Sequence, residues 1–306
     1  MLQPKITKDS TKIWANAHLI NQVPSKAWLL LPIICLTIVC ASVIFLSNVE
    51  FNISIDWAGQ KELFHFLNKG LSILPESIWA NLTQLGDAVV LVPLLALVLV
   101  SRSNVWITIF YAAPISGITC FAMKRFFDTP RPSAILESGS YNQIGELLGG
   151  RNSFPSGHTT TVFVAIIAVL CANFPSPNNY AQKAAIGLGI LFAGIVGLSR
   201  VAVGAHWPLD VIFGAGIGAA SAIYGAQLTK KYDNSWIEKS FIQLCGMCIP
   251  AILSMLLLYR ILVEDESTLV VLVAAVCGLL ASASTFVSRS YRDRALSSYK
   301  TKRSLM

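Results

Sequence analysis

The chain has 306 residues, 54% of them hydrophobic and 13% charged, with a mean hydropathy of +0.62. A soluble domain carries roughly 25% charged residues, so this balance excludes an ordinary soluble globule and indicates an integral membrane protein. The net charge of +7 would suggest nucleic acid in a soluble chain, but here much of the excess lies in the two tails, where basic residues orient a membrane protein, and no nucleic-acid partner is expected.

Residues 1–26 are polar and moderately basic and lack the apolar core of a cleavable signal peptide. A membrane-crossing helix takes about 20 mostly apolar residues, and about eight stretches meet that rule. They cover 27–47, 78–100, 104–123, 158–175, 183–200, 207–228, 241–262 and 268–288. The expected fold class is therefore all-α, a polytopic membrane bundle of about eight transmembrane helices. Its segments are an N-terminal tail (1–26), a six-span core (27–228), two additional transmembrane helices (229–288) and a basic C-terminal tail (289–306).

An even helix count puts both tails on one side. The N-terminal tail carries Lys5, Lys8, Lys12 and Lys26, and the C-terminal tail carries Arg289, Arg292, Arg294, Lys300, Lys302 and Arg303. Basic residues mark the cytoplasmic side, so both termini are expected there, together with Arg102, Lys183, Lys230 and Lys231. Glu50, Asp56, Glu62 and Glu76 of the 48–77 loop then face outward, as do Glu264, Asp265 and Glu266. Gly214 and Gly218 have the GxxxG spacing that permits close helix approach. Packing inside the chain is the expected use, and the sequence does not give an oligomeric state. The seven cysteines all lie in apolar runs, which argues against a disulfide framework. Cys245-Gly-Met-Cys248 has redox spacing without the βαβ context that motif needs.

Three polar signatures stand among the apolar runs, all on the outer side or at outer helix ends. They are Lys124-Arg-Phe-Phe-Asp-Thr-Pro-Arg131-Pro132, Phe154-Pro155-Ser156-Gly157-His158, and Ser199-Arg200 followed by His206-Trp-Pro208-Leu-Asp210. Together they supply cations, two imidazoles, a carboxylate and a Ser-Gly turn, a set that suits gripping a phosphate and breaking its ester bond. Lys124, Arg131 and Arg200 can neutralise phosphoryl oxygens, Arg with a two-pronged fork and Lys as a point charge. Backbone N–H groups of Ser156, Gly157 and His158, at a helix start, can add an anion site.

Proline favours the first helical turn, which places His206 and Asp210 one turn apart. The carboxylate can then hold one ring nitrogen and free the other to attack phosphorus. His158 is the candidate acid for the leaving oxygen. A metal site is the competing reading of His158, His206 and Asp210, but three nearby cations would repel a divalent ion, and no metal is expected. Asp87, near the outer end of the second span, reads as a partner for a site cation, since intramembrane carboxylates are costly and usually paired. Residues 133–153 form a long polar loop, either a partial cover for the site or a passive connector.

The pattern K-x6-R-P, P-S-G-H, S-R-x5-H-x3-D resembles the type 2 phosphatidic acid phosphatase superfamily, which also includes vanadium haloperoxidases and some soluble acid phosphatases. All three motifs match without substitution, in order, over residues 124–210. The resemblance implies a helical core, a phosphohistidine intermediate, and neither a required metal nor a cofactor. On it, His206 corresponds to the nucleophile, His158 to the acid and Asp210 to the partner of His206. Lys124, Arg131, Ser156, Gly157 and Arg200 correspond to the phosphate-binding set. The membrane branch of the family covers the six-span core and says nothing of the last two helices.

These expectations describe a multi-pass enzyme of the bacterial inner membrane with its site facing the periplasm. Its partners are the bilayer and a membrane lipid phosphate, cleaved as a phosphomonoester or diphosphate. Phosphatidylglycerol phosphate, undecaprenyl diphosphate and phosphatidic acid are the substrates the family implies. A lipid A phosphatase or phosphotransferase is the alternative, separated only by which hydroxyl accepts the phosphoryl group. A non-catalytic lipid-binding or transport protein could use the same basic pocket. Transporters often show internal repeats and mid-membrane polar sites, whereas this chain shows no repeat and gathers its polar groups at one face. Haloperoxidase activity suits a soluble enzyme better than a site embedded among spans.

Overall fold

The computed structural model describes residues 60–99, 103–238, 240–263 and 268–304. Every regular element among them is helical, as lipid requires of segments that must satisfy their own backbone hydrogen bonds. In chain order the α-helices are α1 (Gln60–Leu71), α2 (Glu76–Gln84), α3 (Ala88–Leu99), α4 (Ser103–Phe127), α5 (Gly157–Asn173), α6 (Tyr180–Ala202), α7 (Pro208–Lys231), α8 (Ser240–Val263) and α9 (Leu269–Ser304). Among the described residues, α4, α6, α7, α8 and the first part of α9 are long and apolar enough to cross a membrane. The expected first span, 27–47, and the tail before it lie outside the described residues.

Three features differ from the sequence reading. The second span, expected as one helix over 78–100, is interrupted at Leu85-Gly86-Asp87 into α2 and α3. At that break Leu85 N–H and Gly86 N–H turn back to the carbonyls of Leu82 and Thr83, at 3.2 and 3.0 Å. The backbone of Gly86 packs on the next-but-one span: a Cβ there would lie 2.7 Å from the Cβ of His158. The segment 60–77, expected as part of an outward-facing loop, contains α1, and Phe64 and Asn68 of that helix are buried. The eighth span runs on without a break into the basic tail as far as Ser304.

The described chain forms two compact units, residues 60–88 with 103–234 and residues 89–99 with 235–304. In the first, α5 is the central helix, packed against α4, α6 and α7. Its Val162, Phe163, Ile167 and Leu170 meet Ile186, Ala193 and Val196 of α6 and Ala222 and Ile223 of α7. Lipid tails are as apolar as these side chains, so such burial acts through close packing more than through escape from water. The glycines of α7 set the approach: a Cβ at Gly214 would fall 2.6 Å from the carbonyl oxygen of Ser156, and one at Gly218 would fall 2.5 Å from that of Thr160. The GxxxG face is thus used inside the chain.

The second unit joins α3 to α8 and α9. Val90, Leu257, Val271, Ala274 and Ala275 form its core, and Ser282 Oγ donates to the carbonyl of Met247 at 2.8 Å. Cys245, Cys248 and Cys277 carry free thiols in this unit.

In the first unit the helices alternate in direction. α4 and α6 end where α5 and α7 begin, and the three signatures meet at that end. Lys183, in the first turn of α6, and Lys230 and Lys231, in the last turn of α7, sit at the opposite end.

Candidate active site

The site is assembled from helix ends. Lys124 occupies the last turn of α4 and Arg200 the last turn of α6. After α6 the chain reverses through Gly204, whose φ of +76° lies in the left-handed region that glycine accepts readily. A Cβ at Gly204 would also strike the ring of Tyr141, at 2.6 Å. The turn folds back on α6: Ala205 N–H and His206 N–H both donate to the carbonyl of Arg200, at 3.0 and 3.2 Å. Pro208 then starts α7, and Asp210 in its first turn reaches back to accept from Trp207 N–H at 2.9 Å, the reach of an acidic residue onto its own helix cap.

His206 and Asp210 are both buried, at 2% and 1% exposure. Asp210 Oδ2 lies 3.1 Å from His206 Nδ1. With Nδ1–H donating to the carboxylate, Nε2 holds the free lone pair. Burial, followed by the charges of Arg200, Arg131 and Lys124, holds the His206 pKa well below the ordinary imidazole value. That environment favours the neutral ring, whose Nε2 lone pair is then available. His158 lies at the first turn of α5 and feels the charges of Arg200, His206, Arg131 and Lys124, so the two imidazoles and three cations form one cluster.

Ser156 caps α5, its Oγ accepting from Thr159 N–H at 3.4 Å. Its own backbone N–H donates to the carbonyl of Asp210 at 3.0 Å. That N–H is committed to joining the second and third signatures, which leaves Gly157 and His158 as the amides expected to meet an anion. Gly157 has no atom within 4 Å of where a Cβ would stand. Neither packing nor backbone strain demands a glycine there, whereas close approach of a ligand to the helix N-terminus would. Arg200 is buried, and its Nε has no hydrogen-bond partner among the described residues. A buried guanidinium nitrogen calls for an acceptor, and a phosphoryl oxygen would supply one. Its Nη1 donates to Thr83 Oγ1, and Asp87 acts on its charge.

The long loop before α5 is part of the site. Asn152 accepts from Arg131 Nε through Oδ1, at 2.9 Å, and from Lys124 Nζ through its carbonyl. Ser153 Oγ donates to Asp210 Oδ2 at 2.5 Å and stands 3.3 Å from His206 Nδ1.

A model of the PAP2 superfamily matches residues 104–234. The putative undecaprenyl-diphosphatase YbjG of Escherichia coli (strain K12) is 31% identical over 191 residues, covering 58% of this chain and 90% of that protein. The chain belongs to the PAP2 superfamily. A lipid A 1-phosphatase of Rhizobium johnstonii is 36% identical over 115 residues, covering 36% of this chain and 42% of that protein. The crystal structure of Aquifex aeolicus LpxE is similar at 29% identity and a TM-score of 0.46, covering 58% of this chain and 98% of that one. This PAP2 protein is an integral membrane phosphatase, an enzyme acting on phosphate esters.

Outside the PAP2 match, α1 braces the site from the N-terminal side. Asn68 is 1% exposed and its Nδ2 donates to the carbonyls of Val201, Ala202 and Asn142 at 2.9, 3.1 and 2.9 Å. Its Oδ1 accepts from Asn142 N–H at 2.7 Å. Phe64 packs edge-on to Trp207, and Gln60 Oε1 accepts from Leu209 N–H at 3.3 Å. The sequence reading missed Gln60, Asn68, Thr83, Asn152 and Ser153. The Leu63, Phe64, Leu67, Leu71 spacing of α1 carries a helical period that could have exposed the helix. Ser153 has no periodic signal; only its place directly before the Phe154–His158 signature points to it.

Proposed function

We propose that this enzyme removes phosphate from a polyprenyl-type lipid diphosphate, with undecaprenyl diphosphate as the substrate class, at the periplasmic face through a phosphohistidine on His206. The observation that carries the mechanism is the buried His206–Asp210 pair at 3.1 Å, set among Lys124, Arg131 and Arg200. Extent of alignment supports the substrate class: the undecaprenyl-diphosphatase relative aligns over nearly its whole chain, whereas the lipid A 1-phosphatase aligns over less than half of its own. Lipid A remains the second reading because of its higher identity in that shorter region. Periplasmic orientation is supported by Lys183, Lys230 and Lys231 lying at the helix ends opposite the site.

In the first step His206 Nε2 attacks the terminal phosphorus. The bond from phosphorus to the bridging oxygen breaks, and His158 gives its proton to that oxygen as the lipid monophosphate leaves. Arg131, Arg200 and Lys124 offset the charge on the phosphoryl oxygens as it redistributes, which is where preorganised cations contribute most. Asp210 stabilises the cationic ring that carries the phosphoryl group. In the second step His158 takes a proton from water, the hydroxyl oxygen bonds to phosphorus, and the bond to Nε2 breaks to free inorganic phosphate.

Phosphate release by the purified chain in detergent, with excess chelator, tests this reading. The panel is undecaprenyl diphosphate, phosphatidylglycerol phosphate, phosphatidic acid and lipid A, with His206→Ala beside the wild type. Release from undecaprenyl diphosphate that survives chelation and disappears in the variant is expected. Release confined to lipid A would replace the substrate assignment, and release abolished by the chelator would replace the phosphohistidine mechanism.

A further inference from the structure

The serine that ends the long loop lies where the three motifs leave a gap. Ser153 is fully buried. Its N–H donates to the carbonyl of Thr129 at 2.9 Å, which fixes its backbone beside the first signature. Its hydroxyl proton is committed to Asp210 Oδ2 at 2.5 Å, the same oxygen that faces His206 Nδ1 and accepts from Trp207 N–H. A hydroxyl whose proton is committed can only accept elsewhere. Its lone pair faces His206 Nδ1 at 3.3 Å.

Nδ1 therefore meets two oxygens, the Asp210 carboxylate and the Ser153 hydroxyl, and both require a proton on that nitrogen. A ring with its proton on Nε2 would set a lone pair against both. We propose that Ser153 is a positioning residue for the reaction, acting with Asp210 to lock the His206 ring in rotation and tautomer so that Nε2 carries the lone pair. This rests on the reading of His206 as the nucleophile.

The residue before it extends the role. Asn152 holds Arg131 through its side chain and Lys124 through its carbonyl. One dipeptide thus touches two phosphate-binding cations and the nucleophile pair. These bonds tie the two cations to the nucleophile pair and so would align a held phosphate with the attacking nitrogen, the kind of alignment on which an in-line displacement depends. Ser153 does not itself touch the phosphate, so its loss should slow the chemical step and leave binding intact.

The test uses the full-length chain in detergent with undecaprenyl diphosphate, measuring kcat and KM separately and the melting temperature of each variant. Ser153→Ala is expected to lower kcat about 10- to 100-fold, the scale seen when the partner that orients a metal-ligating histidine is lost, with KM and melting temperature nearly unchanged. Ser153→Thr keeps the hydroxyl and should recover most of the rate. A kcat for Ser153→Ala within twofold of wild type overturns the proposal. So does a loss confined to KM, or a folded Ser153→Thr as slow as the alanine variant. His206→Ala separates the two readings: an inactive His206→Ala beside a fully active Ser153→Ala removes only the role of Ser153, whereas an active His206→Ala removes the nucleophile and this inference with it.

Discussion

At His206, burial and charge act in the same direction. Desolvation opposes a cationic ring, and Arg200, Arg131 and Lys124 oppose it further, so its pKa falls well below the ordinary value of 6.5. The sign follows for activity: the reactive form is neutral, and it persists as pH drops through the usual histidine range. The acid limb of kcat/KM, which reports the free enzyme, is expected below pH 6.5; a limb at or above that value would contradict the geometry. Stability runs the same way. An unfolded chain takes up this proton near the ordinary value and the folded one does not, so the contribution is intact above about pH 6.5 and lost progressively below it. The side chains of the candidate site were legible as a group because their chemistry is unusual in an apolar chain: two imidazoles and three cations at one face have few structural uses. Ser153 and Asn68 were not legible, because a serine or asparagine in a loop is ordinary. What distinguishes them is a hydrogen bond to a residue 57 positions away for Ser153 and 133 positions away for Asn68.

Among the elements, the break between α2 and α3 illustrates what hydropathy alone misses. Residues 78–100 are apolar enough for one continuous span, and the single Gly86 is no stronger a signal than the glycines that α7 carries without interruption. The cause is tertiary: the backbone at Gly86 must pass against His158. Adding a methyl group there would put its carbon 2.7 Å from the Cβ of His158, an overpacking that typically costs about 1–3 kcal/mol. Gly86→Ala is therefore expected to displace His158, lowering both melting temperature and kcat. Gly117→Ala is the control, since no atom lies within 4 Å of its Cβ position and alanine favours the helix. Equal behaviour of the two variants would show that Gly86 does not position the acid. α1 escaped the sequence reading for a different reason. Its 12 residues are too short to cross a membrane, and it owes its place to Phe64 and Asn68 docking on the His206 turn.

Across the whole molecule, hydropathy located the apolar segments that the described residues contain but not how many of them are long enough to cross a membrane, since α5 falls short of the five that are and the second span is broken, and it did not show the way they group. Contiguity in sequence suggested six helices followed by two, yet residues 89–99 belong with the C-terminal pair, because Val90 finds its partners on α8 and α9. In the first unit the ends of α4 to α7 that meet at the candidate site are electropositive. α5 and α7 present N-termini, whose dipoles favour anions, and α4 and α6 present C-termini that carry Lys124 and Arg200. Such a collar cannot discriminate between a phosphate that arrives and one that has just been released. Inorganic phosphate leaves with the charge and shape the site is built to hold, so the enzyme should be restrained by its own product. Rates measured with added phosphate are expected to show competitive inhibition that weakens as ionic strength rises, and an enzyme indifferent to phosphate would mean that the collar opens before the product departs. Turnover would then follow the phosphate level of the compartment the site faces, slowing wherever phosphate is already plentiful.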